Sequence, residues 1–520
     1  MEVKKTTALN VPRLAIIRLL ENRIAAMIKA AELENSRPLD VHTWSDHPET
    51  NAFVDAIYDA HFKGRKVAIQ KKHLKVVLLD LYLAWCQDPA LKIAYSRNVN
   101  DYRARSRYNA LHISKLTIDV VDRLIEVDLV DHAEGFRDRV RGIGRLSRMW
   151  PTEALAQTFK EARFCPLDMG GYEDREVIVL RDEEGNEKEY EDTVDTERMR
   201  EVLKSYNELL RATFIDIPTL DEPYIALLKD KFGRQHRLWI NQRDKFVRRI
   251  FNRSSFEKGG RFSGGWWQNC PKEWRGKIFI NDEATSEIDY SGLHIVMLYA
   301  KEGINYWTEI GGDPYQLAKP DFLESNQQTR SVAKQLLLVA LNAANEKEAF
   351  GAFRYEAAAG SAEKHLTDKQ LGSLLERLQE KHSPIAKYLA ADAGIDLMNQ
   401  DAQITEGIIR SFTERSVPIL TIHDSYIVPC GEEEALEQAM QTSFEGVTGI
   451  KDAKFKEETE RPEAIVDRGF MRKAMDMRNP SLNALMAIEF NERVNPHRTN
   501  RYNYQWEEFR KWKEREGGKV

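Results

Sequence analysis

Cysteine is scarce: Cys86, Cys165, Cys270 and Cys430 are the only four in 520 residues, and none forms a CxxC pair. That excludes a zinc knuckle and a disulfide framework as organising devices. Long apolar runs are missing too. The N-terminal segment MEVKKTTALNVPRLAIIRLLENRIAAMIKAAELE has an apolar face but is broken by charges, and no stretch approaches the ~18 uncharged apolar residues of a membrane span. A cytoplasmic protein without a membrane partner is expected. The net charge of −6 is too small to mark the whole chain as basic or acidic. No internal repeat or low-complexity tract interrupts it, and its length leaves room for two or three domains with proper cores.

What is present is local. Between Lys229 and Arg275 lie Lys231, Arg234, Arg237, Arg243, Lys245, Arg248, Arg249, Arg253, Lys258, Arg261 and Lys272, interleaved with Trp239, Phe246, Phe251, Phe262, Trp266 and Trp267. Phosphates and stacked bases suit that mixture. Helices are expected over 195–212 and 223–252.

Downstream, TSEIDYSGLHIVMLYA runs from a short strand pattern through Ser291-Gly292 into an apolar-periodic helix, which leaves Asp289 at a strand end. In VPILTIHDSYIVP, two apolar runs flank His423-Asp424-Ser425, the pattern of a tight hairpin with an acid at its tip. Two carboxylates on neighbouring strand ends can hold a pair of Mg²⁺ ions about 3.5–4 Å apart, Mn²⁺ being the usual substitute. Between the acids, NQQTRSVAKQLLLVALNAAN (326–345) reads as a helix with Asn326 as its cap. Its Arg330 and Lys334 are spaced i, i+4 and so lie on one face, within reach of one polyanion.

These segments resemble motifs A, B and C of the family A DNA polymerase and single-subunit RNA polymerase superfamily. Gly260-Arg261 followed by Gln268-Asn269-Cys270-Pro271 and Arg275 is similar to the elements that precede motif A in family A enzymes. The resemblance covers roughly residues 195–475. It implies an α+β right-hand polymerase with palm, fingers and thumb. Asp289, Asp424 and the Tyr290 carbonyl would be ligands of the two Mg²⁺ ions, with Asp289, Asp424 and Lys334 catalytic. Arg330 and Lys334 would clamp the triphosphate, with Tyr290, His294 and Asn342 also on the nucleotide. Arg261, Gln268, Asn269, Arg275 and His423 would contact the primer and template. No Asp-x-Glu strand cluster in residues 1–220 supplies an editing exonuclease.

The chain also departs from the pattern. His294 stands where DNA polymerases of this family carry the glutamate that excludes ribose, Asn342 where both branches usually carry tyrosine, and Ser425 where glutamate usually follows the second acid. The HDS triplet and Ser291-Gly292-Leu293-His294 look like the RNA polymerase branch, whereas the short span from Asp289 to Arg330 suits a DNA-polymerase-like fingers domain. The preferred expectation is a DNA-directed DNA polymerase without proofreading, acting on a DNA primer-template with dNTPs, for a plasmid, virus or mobile element. A primase or single-subunit RNA polymerase using NTPs, and a replication initiator with an inactive polymerase-like scaffold, stay open.

Upstream, a helical segment is expected over 1–60 and a mostly helical, winged-helix-like domain over 61–170. A hairpin linker would span 171–195, thumb-like helices and template contacts 196–285, palm and fingers 286–475, and a C-terminal extension 476–520. Arg137, Arg139, Arg141, Arg145 and Arg148 would line the wing, with Ser106, Arg107, Tyr108, Ser114 and Lys115 near a duplex-reading helix. Tyr502, Tyr504 and Trp506 with Arg498 and Arg501 would pack on the palm or touch single-stranded template. If the wing docks on duplex DNA, residues 60–165 shift a duplex in a gel, and the shift is lost as salt rises from about 50 to 200 mM; salt-independent binding, or none, contradicts that reading.

Overall fold

A computed structural model describes residues 32–63, 66–138, 140, 142–170, 174–229, 235–358, 360–458 and 497–516. Most of the expected N-terminal helix, Arg139, Arg141, Lys231, Arg234 and the segment 459–496 lie outside the described residues. The chain is α+β and divides into two units, Met1–Glu176 and Val177–Val520. Among the described residues no helix is long and apolar enough to cross a membrane.

The first unit places helices α1 (Pro48–His61), α2 (Val67–Gln87) and α3 (Leu116–Glu126) with a four-stranded sheet in the order β1-β2-β6-β3. These strands are Ser36–Pro38, Lys92–Tyr95, Ser147–Pro151 and Val130–Ala133 respectively. Leu74, Leu78 and Leu81 of α2 meet Val121 and Leu124 of α3 in its core. Asp80 of α2 is fully buried, but every demand of its carboxylate is met. Arg37 donates to both oxygens at 2.9 and 2.7 Å, and the Thr43 hydroxyl and Asp40 N–H each donate at 3.1 Å. Helix α3 runs directly into a ribbon of β3 and β6, extended by β4 (Phe136–Asp138) and β5 (Ile143–Arg145). Before α3, residues 102–115 form bends and turns rather than a further helix.

Two expected DNA contacts of this unit are corrected. Arg148 is buried and donates to the carbonyls of Leu33 and Leu146, and the Ser114 hydroxyl is held by His73 at 3.1 Å. The ribbon arginines 137 and 145 are exposed and half-buried respectively, beside exposed Phe136, Val140, Ile143 and Leu146.

In the second unit the expected helix over 223–252 is instead three strands: β9 (Tyr224–Lys229), β10 (Gln235–Trp239) and β11 (Val247–Asn252). Burial along β11 alternates residue by residue, with Val247, Arg249 and Phe251 inward. A buried arginine at an inward position disguises the period of two that marks a strand. The expected hairpin forms, with an antiparallel bridge between Arg181 and Glu187, but its first arm, β7 (Ile178–Leu180), also pairs in parallel with β11, and β11 pairs antiparallel with β12 (Ser255–Gly264). The helix expected over 195–212 is α5 (Val194–Arg211), after an eight-residue helix α4 (Glu153–Lys160) that closes the first unit.

The main sheet runs β15 (Leu420–Ile422), β16 (Ser425–Pro429), β14 (Glu283–Tyr290), β13 (Phe279–Ile280) and β8 (Ile215–Asp216), with β17 (Phe455–Glu457) also on β14. Strand β14 (Glu283–Tyr290) lies between β16 (Ser425–Pro429) on one side and β13 (Phe279–Ile280) and β17 (Phe455–Glu457) on the other. Beyond it come α7 (Leu293–Lys301), α8 (Asn326–Asn342), α9 (Glu346–Glu356), α10 (Asp368–Lys381), α11 (Gly394–Glu414) and α12 (Glu433–Thr448), α6 being the single turn Lys272–Arg275. The cap of α8 is Ser325, one residue before the expected Asn326, and its side chain accepts from the Gln328 N–H at 3.0 Å. The apolar face of α8, Leu336, Leu337 and Ala340, is fully buried.

The C-terminal helix α13 (Asn500–Glu516) packs on this unit. Phe214 meets Tyr502, Trp506 and Phe509 with ring centroids 5.0–5.5 Å apart. Arg501 forks onto Asp216 of β8 (Ile215–Asp216) at 2.6 and 3.0 Å, and Asp216 is 1% exposed. Removing one partner of such a pair strands a buried charge. Asp216→Ala is therefore expected to lower the unfolding free energy of this unit by about 3 kcal/mol in urea titrations; a change under about 0.5 kcal/mol would show that the pair does not anchor α13.

Candidate active site

Strand β14 ends at Tyr290, and the chain turns at Gly292, whose φ of 68° starts α7 in a left-handed conformation that costs glycine nothing. Across the sheet, β15 (Leu420–Ile422) and β16 are joined by His423-Asp424 alone. His423 takes φ 53° at this tip, a conformation that costs a non-glycine residue about 1 kcal/mol and so marks a position held by its surroundings. Register then does the rest. Asp289 pairs with Ser425, and Tyr290 N–H points at the Asp424 carbonyl at 3.5 Å, so the two acids occupy adjacent positions on neighbouring strands. The Ser425 hydroxyl donates to Glu287 at 2.8 Å and fixes that register from a buried position.

The electrostatics of the acids are unfavourable in the isolated protein. Burial, then the Asp424 carboxylate and Glu458, push the Asp289 carboxyl up to about 8, against the pull of Lys334. Its Oδ1 is buried without a hydrogen-bond partner. A desolvated oxygen facing a second carboxylate is the environment a hard divalent cation relieves. Among the described residues no group of three or more His, Cys, Asp or Glu side chains forms a ready cage. Two carboxylates suit Mg²⁺, which keeps several waters and takes further oxygens from substrate phosphates. Tyr290 could add only its carbonyl, because its side chain is core: the phenol donates to the Met440 carbonyl at 2.6 Å.

Helix α8 brings Arg330 and Lys334 to the same Tyr315 ring, each 5.6 Å from its centroid, and both cations are exposed. Arg330 is also paired with Asp313. Tyr315 was not singled out by the sequence; burial, and then the Asp424 and Asp289 carboxylates, raise its phenol against the pull of Arg330. Asn342 is a different matter. It sits two turns beyond Lys334, about 12 Å along the helix, and donates back to the Leu338 carbonyl at 2.8 Å. It packs so closely on the start of α11 that a Cβ at Gly394 would fall 2.1 Å from its Oδ1. The expected nucleotide contact is replaced by a helix-end role.

The group ahead of β14 divides in the same way. Gln268 spends both ends of its amide on the fold, accepting from Gly264 N–H at 2.9 Å and donating to the Thr421 carbonyl at 3.1 Å. Arg275 is bound to Glu287 at 2.8 Å and to the Cys270 carbonyl. Both hold the hairpin and β14 in place. Asn269 and His423 are exposed. Arg261 turns towards the acids, with its Nη2 3.1 Å from Asp401 and 3.4 Å from His294 Nε2. Arginine can only donate, so Nε2 is the bare nitrogen and the imidazole proton sits on Nδ1. Burial, reinforced by Arg261 and Lys334 against the pull of Asp424, lowers His294 to about 4 and keeps it neutral at pH 7.

Sequence reasoning missed α11, which is the scaffold of this corner. Asn399 donates to the Phe256 and Gly259 carbonyls at 3.0 and 3.3 Å, Thr405 meets the Tyr426 hydroxyl at 2.8 Å, and Glu406 binds both Arg198 and Arg249. Asp401, 1% exposed, is its most perturbed member: burial and Asp424 push its carboxyl up to about 7 in spite of Arg261. Polar residues on one helix face signal no more than a wet surface when the partner strands are unknown.

No protein-family profile and no curated protein matches the sequence. Among solved structures it is similar to the polymerase domain of Pol1 from M. smegmatis, determined in complex with DNA primer-template and dNTP, at 12% identity and a TM-score of 0.26. The match covers 51% of this chain and 52% of that one, so the chain spans about half the length of its neighbour. A likeness of that depth carries no functional weight.

The raised Asp289 predicts a pH signature. A carboxyl lifted from about 4 when unfolded to about 8 when folded binds its proton more tightly in the folded state, so its contribution to stability is present at low pH and is lost as pH rises through that window. The melting temperature without divalent ions should therefore fall from pH 5 to pH 8, less steeply in Asp289→Asn, and 10 mM Mg²⁺ at pH 8 should restore it in the wild type only. Equal slopes in the two proteins would contradict the electrostatic assignment.

Proposed function

We propose that this chain is a template-directed nucleotidyltransferase, and specifically a DNA polymerase without proofreading that extends a primer with dNTPs. The observation that supports it most is the register that sets Asp289 opposite Ser425 and so beside Asp424 in the hairpin turn, Asp289 with an orphaned buried oxygen, near a helix that presents Arg330 and Lys334. In this reading the sheet that carries the acids is the palm, the helices α8 to α10 are the fingers, and α5 belongs to a reduced thumb.

Asp289, Asp424 and the Tyr290 carbonyl would hold Mg²⁺, with Mn²⁺ as its substitute, and the bound ions would acidify the attacking 3′-hydroxyl and offset the charge of the departing pyrophosphate. Arg330 and Lys334 would bind the triphosphate from the exposed face of α8, and Lys334 would protonate the leaving pyrophosphate. Neutral His294, carrying its proton on Nδ1, is a donor beside the acids. Arg261 and His423 would meet the primer end. In the first unit, exposed Arg137 with Arg145 and the apolar ribbon residues would dock on duplex DNA.

RNA synthesis is the second reading, favoured by His294 in place of a ribose-excluding glutamate. Extension of a primed and an unprimed DNA template, with dNTPs or NTPs, decides between the two. The proposal expects Mg²⁺-dependent incorporation of dNTPs on the primed template, loss of at least about 10³-fold in Asp289→Ala/Asp424→Ala with duplex binding retained, and a loss of about 10²-fold in Lys334→Ala. Incorporation of NTPs alone would replace the DNA reading with the RNA one; full activity in the double variant would remove the site.

A further inference from the structure

Asp401 has one oxygen too many for its surroundings. Oδ2 accepts from Arg261 Nε and Nη2 at 3.2 and 3.1 Å, but Oδ1 is buried with no hydrogen-bond partner. The residue closes one wall of a small cavity that Arg261, Thr405, Thr421 and His423 also line, with room for about one water-sized group. In its ionised form a buried carboxylate oxygen left unpaired is costly, and what it then lacks is a donor, which is why burial raises this carboxyl. Several features fix which substrate would bring one. No lining residue comes from α8, the helix of Arg330 and Lys334, so the triphosphate is not the group served. His423 and Arg261 line it, and they are the residues assigned to the primer end. Thr421 precedes the hairpin tip by two residues, which keeps the cavity next to Asp424 without including it.

We propose that Asp401 recognises the 2′-hydroxyl of the primer's 3′-terminal nucleotide, so that the enzyme extends a ribonucleotide end in preference to a deoxyribonucleotide end. This rests on the polymerase reading. A ribose 2′-hydroxyl is a water-sized donor and the feature by which a site separates RNA from DNA. It would donate a hydrogen bond to Oδ1 while Arg261 holds Oδ2, whereas a deoxyribose end leaves Oδ1 unpaired. A site built to bond a hydroxyl discriminates strongly against the analogue that lacks it. His294 and Ser425, where the chain departs from the DNA polymerase pattern, then need not signal RNA synthesis: ribose would be read on the primer, not on the incoming nucleotide.

Two primers identical except for the terminal 2′-hydroxyl, annealed to one DNA template, test this with the full-length protein. Extension is expected to favour the ribonucleotide end by at least about tenfold in kcat/KM. Fluorescence anisotropy of the same labelled duplexes, without nucleotide, is expected to show the same order of affinity. In Asp401→Ala the ratio between the primers should fall to within twofold of unity, whatever happens to the absolute rate; Asp401→Asn, which keeps the shape and an acceptor oxygen, should retain part of it. Equal extension and equal binding of the two ends by the wild type would mean that a water fills the cavity and would overturn the inference while leaving the polymerase reading intact. So would a preference that survives Asp401→Ala. Extension of neither end would overturn both.

Discussion

The second unit is arranged to keep Asp289 and Asp424 together, which nothing in the isolated protein favours. Two carboxylates on adjacent strands repel each other, and burial withdraws the water that would screen them. The sheet register enforces the proximity, and the fold keeps that register with groups that might otherwise have faced a ligand. Ser425 is bonded to Glu287, Arg275 is bonded to the same Glu287, and Gln268 ties the turn after β12 to Thr421 at the start of the hairpin. The result is a site where Asp289 holds a proton in the isolated protein and a cation can take that proton's place.

A second layer of charge sits behind the first. Helix α11 uses Glu406 to bury Arg249, Asn399 to hold the turn at Gly259, and Asp401 to hold Arg261. The exposed cations of α8 are steered differently, by an aromatic ring and Asp313. Positive groups therefore reach the acids from two directions on two unrelated elements. One set suits a polyphosphate, and the other a nucleic acid end.

How much of this was legible in the sequence depended on period and on locality. Asp289 at a strand end, Asp424 at a two-residue turn and the cationic face of α8 could be read because each is defined by its neighbours in the chain. The strands β9 to β11 could not. Arg249 and Arg237 interrupt the apolar alternation, and the carboxylate that neutralises the inward Arg249, that of Glu406, is more than 150 residues away in the chain. Asp401 was invisible for the same reason: its partner Arg261 and its neighbour Asp424 are distant in sequence, and an aspartate in a helix reads as solvated until they are in place. Gln268, Arg275 and Asn342 show a scaffold role that the sequence did not suggest. A polar side chain near a motif can as well hold the scaffold as touch the substrate, and only the location of its hydrogen-bond partners tells which.

What the two carboxylates hold decides the reaction. Anomalous scattering from Mn²⁺ in crystals of the protein with a primer-template and a non-reactive nucleotide would show this directly. The account predicts a metal peak within about 2.5 Å of carboxylate oxygens of both Asp289 and Asp424, with a nucleotide phosphate on its far side. A bound nucleotide with no metal shared between the two acids would contradict it.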